Sequence, residues 1–171
     1  SASASGYDRV SIPGWTTGAN FTAVVYGAPD FPTVAESTRI EGGGNFFAGG
    51  PANALASAAQ RVDVSAQAAA IDAGERAAEL AADLAGYAAQ GDNARVTAEF
   101  LGAANEPLGE MTIGPVSGTG SQFVRRSAQA PVPPGTRAIE VTLLATRQDG
   151  SYNDGYFDNI WLALIEAEPM V

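Results

Sequence analysis

Oxygen-bearing side chains crowd residues 149–159, where Asp149, Asn153, Asp154, Asp158 and Asn159 alternate with the rings of Tyr152, Tyr156 and Phe157. Calcium wants roughly six to eight oxygen ligands, so the stretch reads as a candidate metal site with Asp158, Asp154, Asn153 and Asp149 as ligands. The spacing is not that of an EF-hand, and the competing reading is a turn in which Asn and Asp bond their own backbone. Tyr152, Tyr156 and Phe157 are the candidate ligand-binding residues. Flat rings stack on sugar faces, and a tyrosine hydroxyl can bond the sugar edge. The same rings would equally well plug the end of a fold. A carboxylate pair such as Asp154 and Asp158 is the minimum for glycoside hydrolysis, but nothing in the sequence sets the two across a cleft. Trp15 and Trp161 read as core side chains. Arg125-Arg126 on one strand would send one guanidinium to each face, the outward one pairing with surface carboxylates.

Composition narrows the chemistry further. The 171 residues suffice for one domain with a real core. Acidic residues number 19 against 9 basic ones, all of them arginine, for a net charge of -10. Such a chain is repelled by phosphate backbones and anionic lipid, so neither nucleic acid nor membrane insertion is expected. With no histidine and no cysteine, the usual neutral-pH acid/base group, thiolate metal sites and thiol nucleophiles are all missing, and no enzyme is expected. No apolar run approaches the ~20 residues of a membrane helix. Ser1-Ala-Ser-Ala-Ser5 resembles the region just after a signal cleavage site, which predicts a mature, secreted chain. A cloning remnant is the bland alternative.

The elements that must position these residues are mostly strands. Twenty glycines and ten prolines imply many turns. Period-2 alternation marks 20–26, 45–48, 54–64, 93–101, 108–113, 122–129 and 136–147, with a further short strand at 38–41 and a loop over 27–37. The end of the chain alternates too. Ile160, Leu162 and Leu164 oppose Trp161, Ala163 and Ile165, both sides apolar, as in a central or covered strand. The alanine-rich 65–90 stretch scores as helix by propensity. Glu79 and Asp83 share a face in period 2, so the reading is one short helix at 65–72 and a strand at 75–87, against an all-helical alternative. The fold class is all-β, an antiparallel β-sandwich or jelly roll. It divides into an extended segment 1–14, a single domain 15–166 and a tail 167–171.

Asn45-Phe-Phe-Ala-Gly-Gly50, Gln60-Arg-Val-Asp-Val-Ser65, Pro134-Gly-Thr-Arg137 and above all Asp154-Gly-Tyr-Phe-Asp-Asn-Ile160 occur in an order that resembles the galactose-binding-like β-sandwich modules of bacterial secreted proteins, which include many carbohydrate-binding modules. The resemblance spans most of residues 15–166. It implies a structural calcium between the start of the chain and the last strand, with Asp158 as side-chain ligand. The family's opening Asn-x-Gly-x-x-Glu is replaced here by Gly6-Tyr-Asp-Arg-Val10, which leaves Asp8 or Glu41 to complete such a site. The expected function is an extracellular, non-catalytic module that binds carbohydrate or a cell-surface ligand. The alternative is a subunit that self-assembles into a filament or surface layer, meeting copies of itself through its N-terminal segment.

Overall fold

Alternation alone accounts for the middle of the molecule. Residues Asn93–Leu101 (β6) and Ala138–Thr146 (β9) bury every second side chain, Ala94, Val96, Ala98 and Phe100 on one and Ile139, Val141, Leu143 and Ala145 on the other. The computed structural model describes residues 1–167. The remaining elements are Thr16–Gly18 (β1), Thr22–Val25 (β2), Val34–Ile40 (α1), Asn45–Pro51 (β3), Leu55–Asp63 (β4), Ala68–Asp72 (α2), Arg76–Gly86 (β5), Pro107–Ser117 (β7), Val124–Pro131 (β8) and Tyr152–Glu166 (β10). They form two five-stranded sheets, β1-β4-β9-β6-β7 and β2-β3-β10-β5-β8. Every strand pair is antiparallel, as the sequence leads one to expect of a β-sandwich.

The facing sides of the sheets make the main core, with Leu80, Leu84, Val96, Phe100, Ile139, Leu143 and Phe157 fully or almost fully buried. Each such side chain contributes on the order of 1.5–3 kcal/mol. A 3₁₀ turn at Ser65–Gln67 leads into α2, the helix expected near 65–72, and Ile71 plugs the core from there. The contested alanine stretch is strand β5. It lies between β10 and β8, paired along Leu162↔Leu80↔Ala128, and tertiary pairing overrides its helical propensity. On the outer side of the first sheet, Arg61, Glu140, Glu99 and Glu110 stand abreast on four neighbouring strands.

A second cluster sits on the outer face of the other sheet. Val24, Phe46, Ala48, Ala85, Phe123 and Tyr156 point away from the main core and are buried beneath the segment that carries Tyr26, Phe31 and α1. That segment corrects the expectation of a loop over 27–37 and a strand at 38–41. Thr33 caps α1 by accepting the Glu36 N–H, and Glu41 ends it in the left-handed region at φ 57°. The Thr33-x-x-Glu36 spacing is a capping signature, masked because a helix this short shows too little periodicity. Glu36 spends its carboxylate on Arg39 and on the Phe123 N–H, 2.6 Å away, which ties α1 to the start of β8.

The same cover bears on the turn that Gly, Asn and Asp suggest near residue 149. Residues Tyr152–Phe157 are already in strand β10, buried on one side by the core and on the other by the α1 segment. The N-terminal segment joins this cover. Ser3 forms a parallel bridge with Val24 on β2, donating to the Ala23 carbonyl at 2.8 Å and accepting from the Val25 N–H at 3.0 Å. Gly6, at φ 81°, lies so close to the Phe31 ring that any Cβ would overlap it. Of the tail 167–171, all but Ala167 lies outside the described residues; Ala167 N–H reaches the Glu75 carbonyl.

One irregularity in β10 matters more than its length. Asp158 pairs with Asp83 and Trp161 with Ala81, so β10 spends three steps where β5 spends two. Asn159 is the extra residue, in the left-handed region at φ 47°. Its side-chain N–H groups bond the Ile40 carbonyl (2.7 Å) and Asp83 (2.8 Å), and its backbone N–H bonds the Asp158 carboxylate (2.7 Å). Asn159→Ala is expected to lower stability by about 1–3 kcal/mol through backbone strain and two lost hydrogen bonds. Asn159→Gly keeps the backbone conformation and should lose less. Urea unfolding of both variants checks the order.

Candidate functional site

The bulge at Asn159 decides which way Trp161 faces. Phe157 points into the core, and strict alternation would send Trp161 after it. The extra residue inverts the phase, so Ile160, Leu162 and Leu164 pack on the core while Trp161 stands outside, 57% exposed. This corrects the expectation of Trp161 as a core side chain. Trp15, by contrast, packs against Phe47 at the core edge, ring centroids 5.6 Å apart.

The face around Trp161 is unlike the rest of that sheet, because the α1 cover stops at Ile40. Pairing sets Trp161, Ala81 and Ser127 in one row and Ala163, Glu79 and Gln129 in the next. Ala81 is buried at 3% exposure, so the floor is low and small between the indole and the polar side chains of β8. Toward α1 the face deepens into a groove of about 460 Å³ lined by Arg39, Ile40, Glu41, Asp83, Arg125 and Asn159. Arg125 reaches across β5 to the Asn159 carbonyl at 2.9 Å and meets the Asp83 carboxylate at 3.4 Å. Its guanidinium is thereby held two residues from Trp161 and remains half exposed. Arg39 is fixed by Glu36 and by the Phe123 carbonyl at 2.6 Å. The hydrogen bond from Arg39 holds the Glu36 carboxyl below the usual carboxylate range. The groove thus holds anchored donors and acceptors beside the exposed ring of Trp161, a combination suited to a polyhydroxylated ligand. The sequence predicts that one of Arg125 and Arg126 faces outward to pair with a surface carboxylate, and Arg125 does so with Asp83; Arg39 and Asp83 carry no such signal, because their juxtaposition depends on α1 and on the bulge.

The candidate metal ligands do not share a site. Asp158 accepts from the Tyr26 hydroxyl and the Asn159 N–H, beneath Gly42, where no side chain would fit. Asn153 is fully buried and donates to the Ala145 carbonyl at 3.0 Å. Asp149 accepts the Gly91 N–H at 2.7 Å. Asp154 accepts the Tyr156 hydroxyl. Each carboxylate is already engaged with a protein donor, and among the described residues no three His, Cys, Asp or Glu side chains cluster as if to hold a metal ion. Asp8 accepts from Ser3 and Ser5. The organising carboxylate of this end is Asp92, unmarked by any motif. Fully buried, it accepts the backbone N–H groups of Gln148, Asp149 and Asp154 at 2.6, 2.7 and 2.9 Å.

The candidate ligand-binding rings are corrected in part. Tyr156 and Phe157 are fully buried, one in each cluster, and present no face to a ligand. Tyr152 is also buried and gives its hydroxyl to the Gly6 carbonyl at 2.8 Å, yet one side of it borders a cavity at the end of the sandwich. Asp154 borders the same cavity. Burial pushes its carboxyl up to about 6, against the Tyr156 hydroxyl bond that favours ionisation, and the nearby Asp92 adds to the rise. Burial likewise raises Asp158 above the ordinary carboxylate range.

No protein-family model matches the chain. No curated protein matches it either. Solved structures do. A carbohydrate-binding module of family 61 in complex with β-1,4-galactotriose is 11% identical, covers 88% of this chain and 88% of its own, and superposes with a TM-score of 0.56. The xylan-binding CBM22-1 domain of Paenibacillus barcinonensis Xyn10C is 13% identical over 98% of this chain and 94% of its own, TM-score 0.51. A cyclase from Fischerella sp. TAU, 16% identical over 95% and 90%, reaches 0.56. The chain spans only 21% of a bacteriophage CBA120 tailspike domain that it also resembles, at 17% identity and a TM-score of 0.55. The fold is therefore the jelly-roll sandwich of carbohydrate-binding modules, as the sequence resemblance implies.

The raised carboxyl of Asp154 has a definite sign. Between pH ~4 and ~6 the folded state keeps a proton that the unfolded chain releases, so this group's contribution falls as pH rises and is flat above that window. Asp154→Asn removes it. The variant should therefore gain on the wild type from pH 4 to pH 7, by on the order of 2 kcal/mol in urea unfolding.

Proposed function

We propose that the protein is an extracellular, non-catalytic carbohydrate-binding module that holds a glycan chain against the outer face of its second sheet. Trp161 carries this reading: a large ring, released from the core by a bulge, beside a groove of fixed donors and acceptors. Its face would stack on a sugar ring while Arg125, Asp83, Glu79 and Gln129 bond the hydroxyls. The galactotriose complex and the xylan-binding domain among the structural neighbours support the choice of ligand class. A non-catalytic role is supported by the missing histidine and cysteine. It is supported too by Asp154 and Asp158, whose carboxylates are taken up by Tyr156 and Tyr26 rather than set across a cleft. The bridge from Ser3 to the chain's own β2 supports this reading over self-assembly through the N-terminal segment.

Isothermal titration with soluble galactans, xylans and β-glucans tests the reading. One of them is expected to bind, and Trp161→Ala to weaken it at least about tenfold, some 1.4 kcal/mol, with an unchanged melting temperature. Arg125→Met should weaken the same ligand. Equal affinity of the Trp161→Ala variant, or no binding to any glycan, would sink the proposal.

A further inference from the structure

Four stretches of chain close on the cavity at the end of the sandwich, whose volume is about 260 Å³. Tyr7 comes from the N-terminal segment, Phe31 from the turn before α1, Tyr87 from the connection after β5, and Tyr152 from the start of β10. Three of these rings brace one another edge to face. The Tyr7–Tyr152 and Phe31–Tyr152 centroids are 5.2 Å apart, and Tyr7–Phe31 lie at 6.0 Å. The wall they form is rigid, and Tyr7 remains 59% exposed at its rim.

The polar groups of this cavity are lopsided. Asp154, only 9% exposed, receives a single side-chain hydrogen bond among the described residues, from Tyr156. Gln90 also lines the cavity, its amide oxygen enclosed by the protein and without a donor among the described residues. Asp30 stands at the mouth, and no arginine lines any part of it. A buried carboxylate without a cationic partner is costly, and that cost would be relieved by an occupant that is a donor carrying positive charge. The negative faces of aromatic rings favour the same occupant.

We propose that this cavity binds an organic ammonium group, from a free alkylamine or from the amino sugar of a glycan. Asp154 would face the charge, and Tyr7 with Tyr152 would supply the ring faces. The site is separate from the Trp161 face, and the two stand or fall independently.

The test is an NMR titration of the full chain, following the amides of Gln90, Gly150 and Ser151. The probes are tetramethylammonium chloride and glucosamine hydrochloride, set against glucose, N-acetylglucosamine and calcium chloride. Saturable shifts at these amides with either ammonium probe are expected, and which of the two binds more tightly identifies the source. Asp154→Asn should weaken that binding at least tenfold. Tyr7→Ala, at an exposed position that does not endanger folding, should weaken it severalfold, and Trp161→Ala should leave it unchanged. Glucose or N-acetylglucosamine binding as tightly as glucosamine would overturn the proposal, as would equal shifts from calcium chloride or no saturable shift from either ammonium compound.

Discussion

An asparagine side chain that bridges two elements sets the outer face of the second sheet. Asn159 can hold its left-handed backbone because its amide ties the end of α1 at Ile40 to Asp83 on β5. The residue inserted there reverses the inside-outside phase of everything after it in β10. Upstream, Phe157 belongs to the core; downstream, Ile160 does, and Trp161 is turned out. The carbonyl of the same residue anchors Arg125. A single bulge therefore exposes the ring, places the guanidinium and fixes the end of the helix that walls the groove.

The α1 segment divides one sheet face into two environments. Where it lies, the face is a second small core of Phe46, Tyr156 and Ala85; where it ends, the face is open and polar. The division explains how β10 can be apolar on both sides in its first half and still present a binding surface in its second. It also explains the buried hydroxyl–carboxylate pairs. Tyr26 with Asp158, and Tyr156 with Asp154, meet at the border between sheet and cover, where each desolvated carboxylate needs a donor and a tyrosine already in the cluster provides one.

The fold was largely legible because it rests on period 2. β6 is legible to the residue and β9 to within two residues from alternating side chains, and β5 from the placing of Glu79 and Asp83 despite its alanines. What stayed hidden depends on contacts distant in sequence. The helix α1 is a single capped stretch whose hold on the molecule is Glu36 reaching Phe123. Residues around Tyr152 suggest a turn because Gly, Asn and Asp favour turns, yet pairing with β3 and β5 makes them a strand and the segment over residues 26–40 covers it. In the Asp-Asn-Ile run the resemblance points to Asp158, whereas the bulge falls on Asn159, whose partners at Ile40 and Asp83 are far away in sequence. Trp161 was misplaced for that reason alone, since a phase reversal leaves no trace in hydropathy.

The far side of the molecule has its own consequence. On the first sheet, Glu140, Glu99 and Glu110 lie side by side, with only Arg61 at one end of the row. Carboxylates paired across adjacent strands repel, and one guanidinium cannot neutralise three of them. Sodium or potassium will gather along this strip in the native state and disperse when the chain opens. Dilute buffer should therefore slacken this sheet, and ordinary salt should tighten it, through that one line of glutamates.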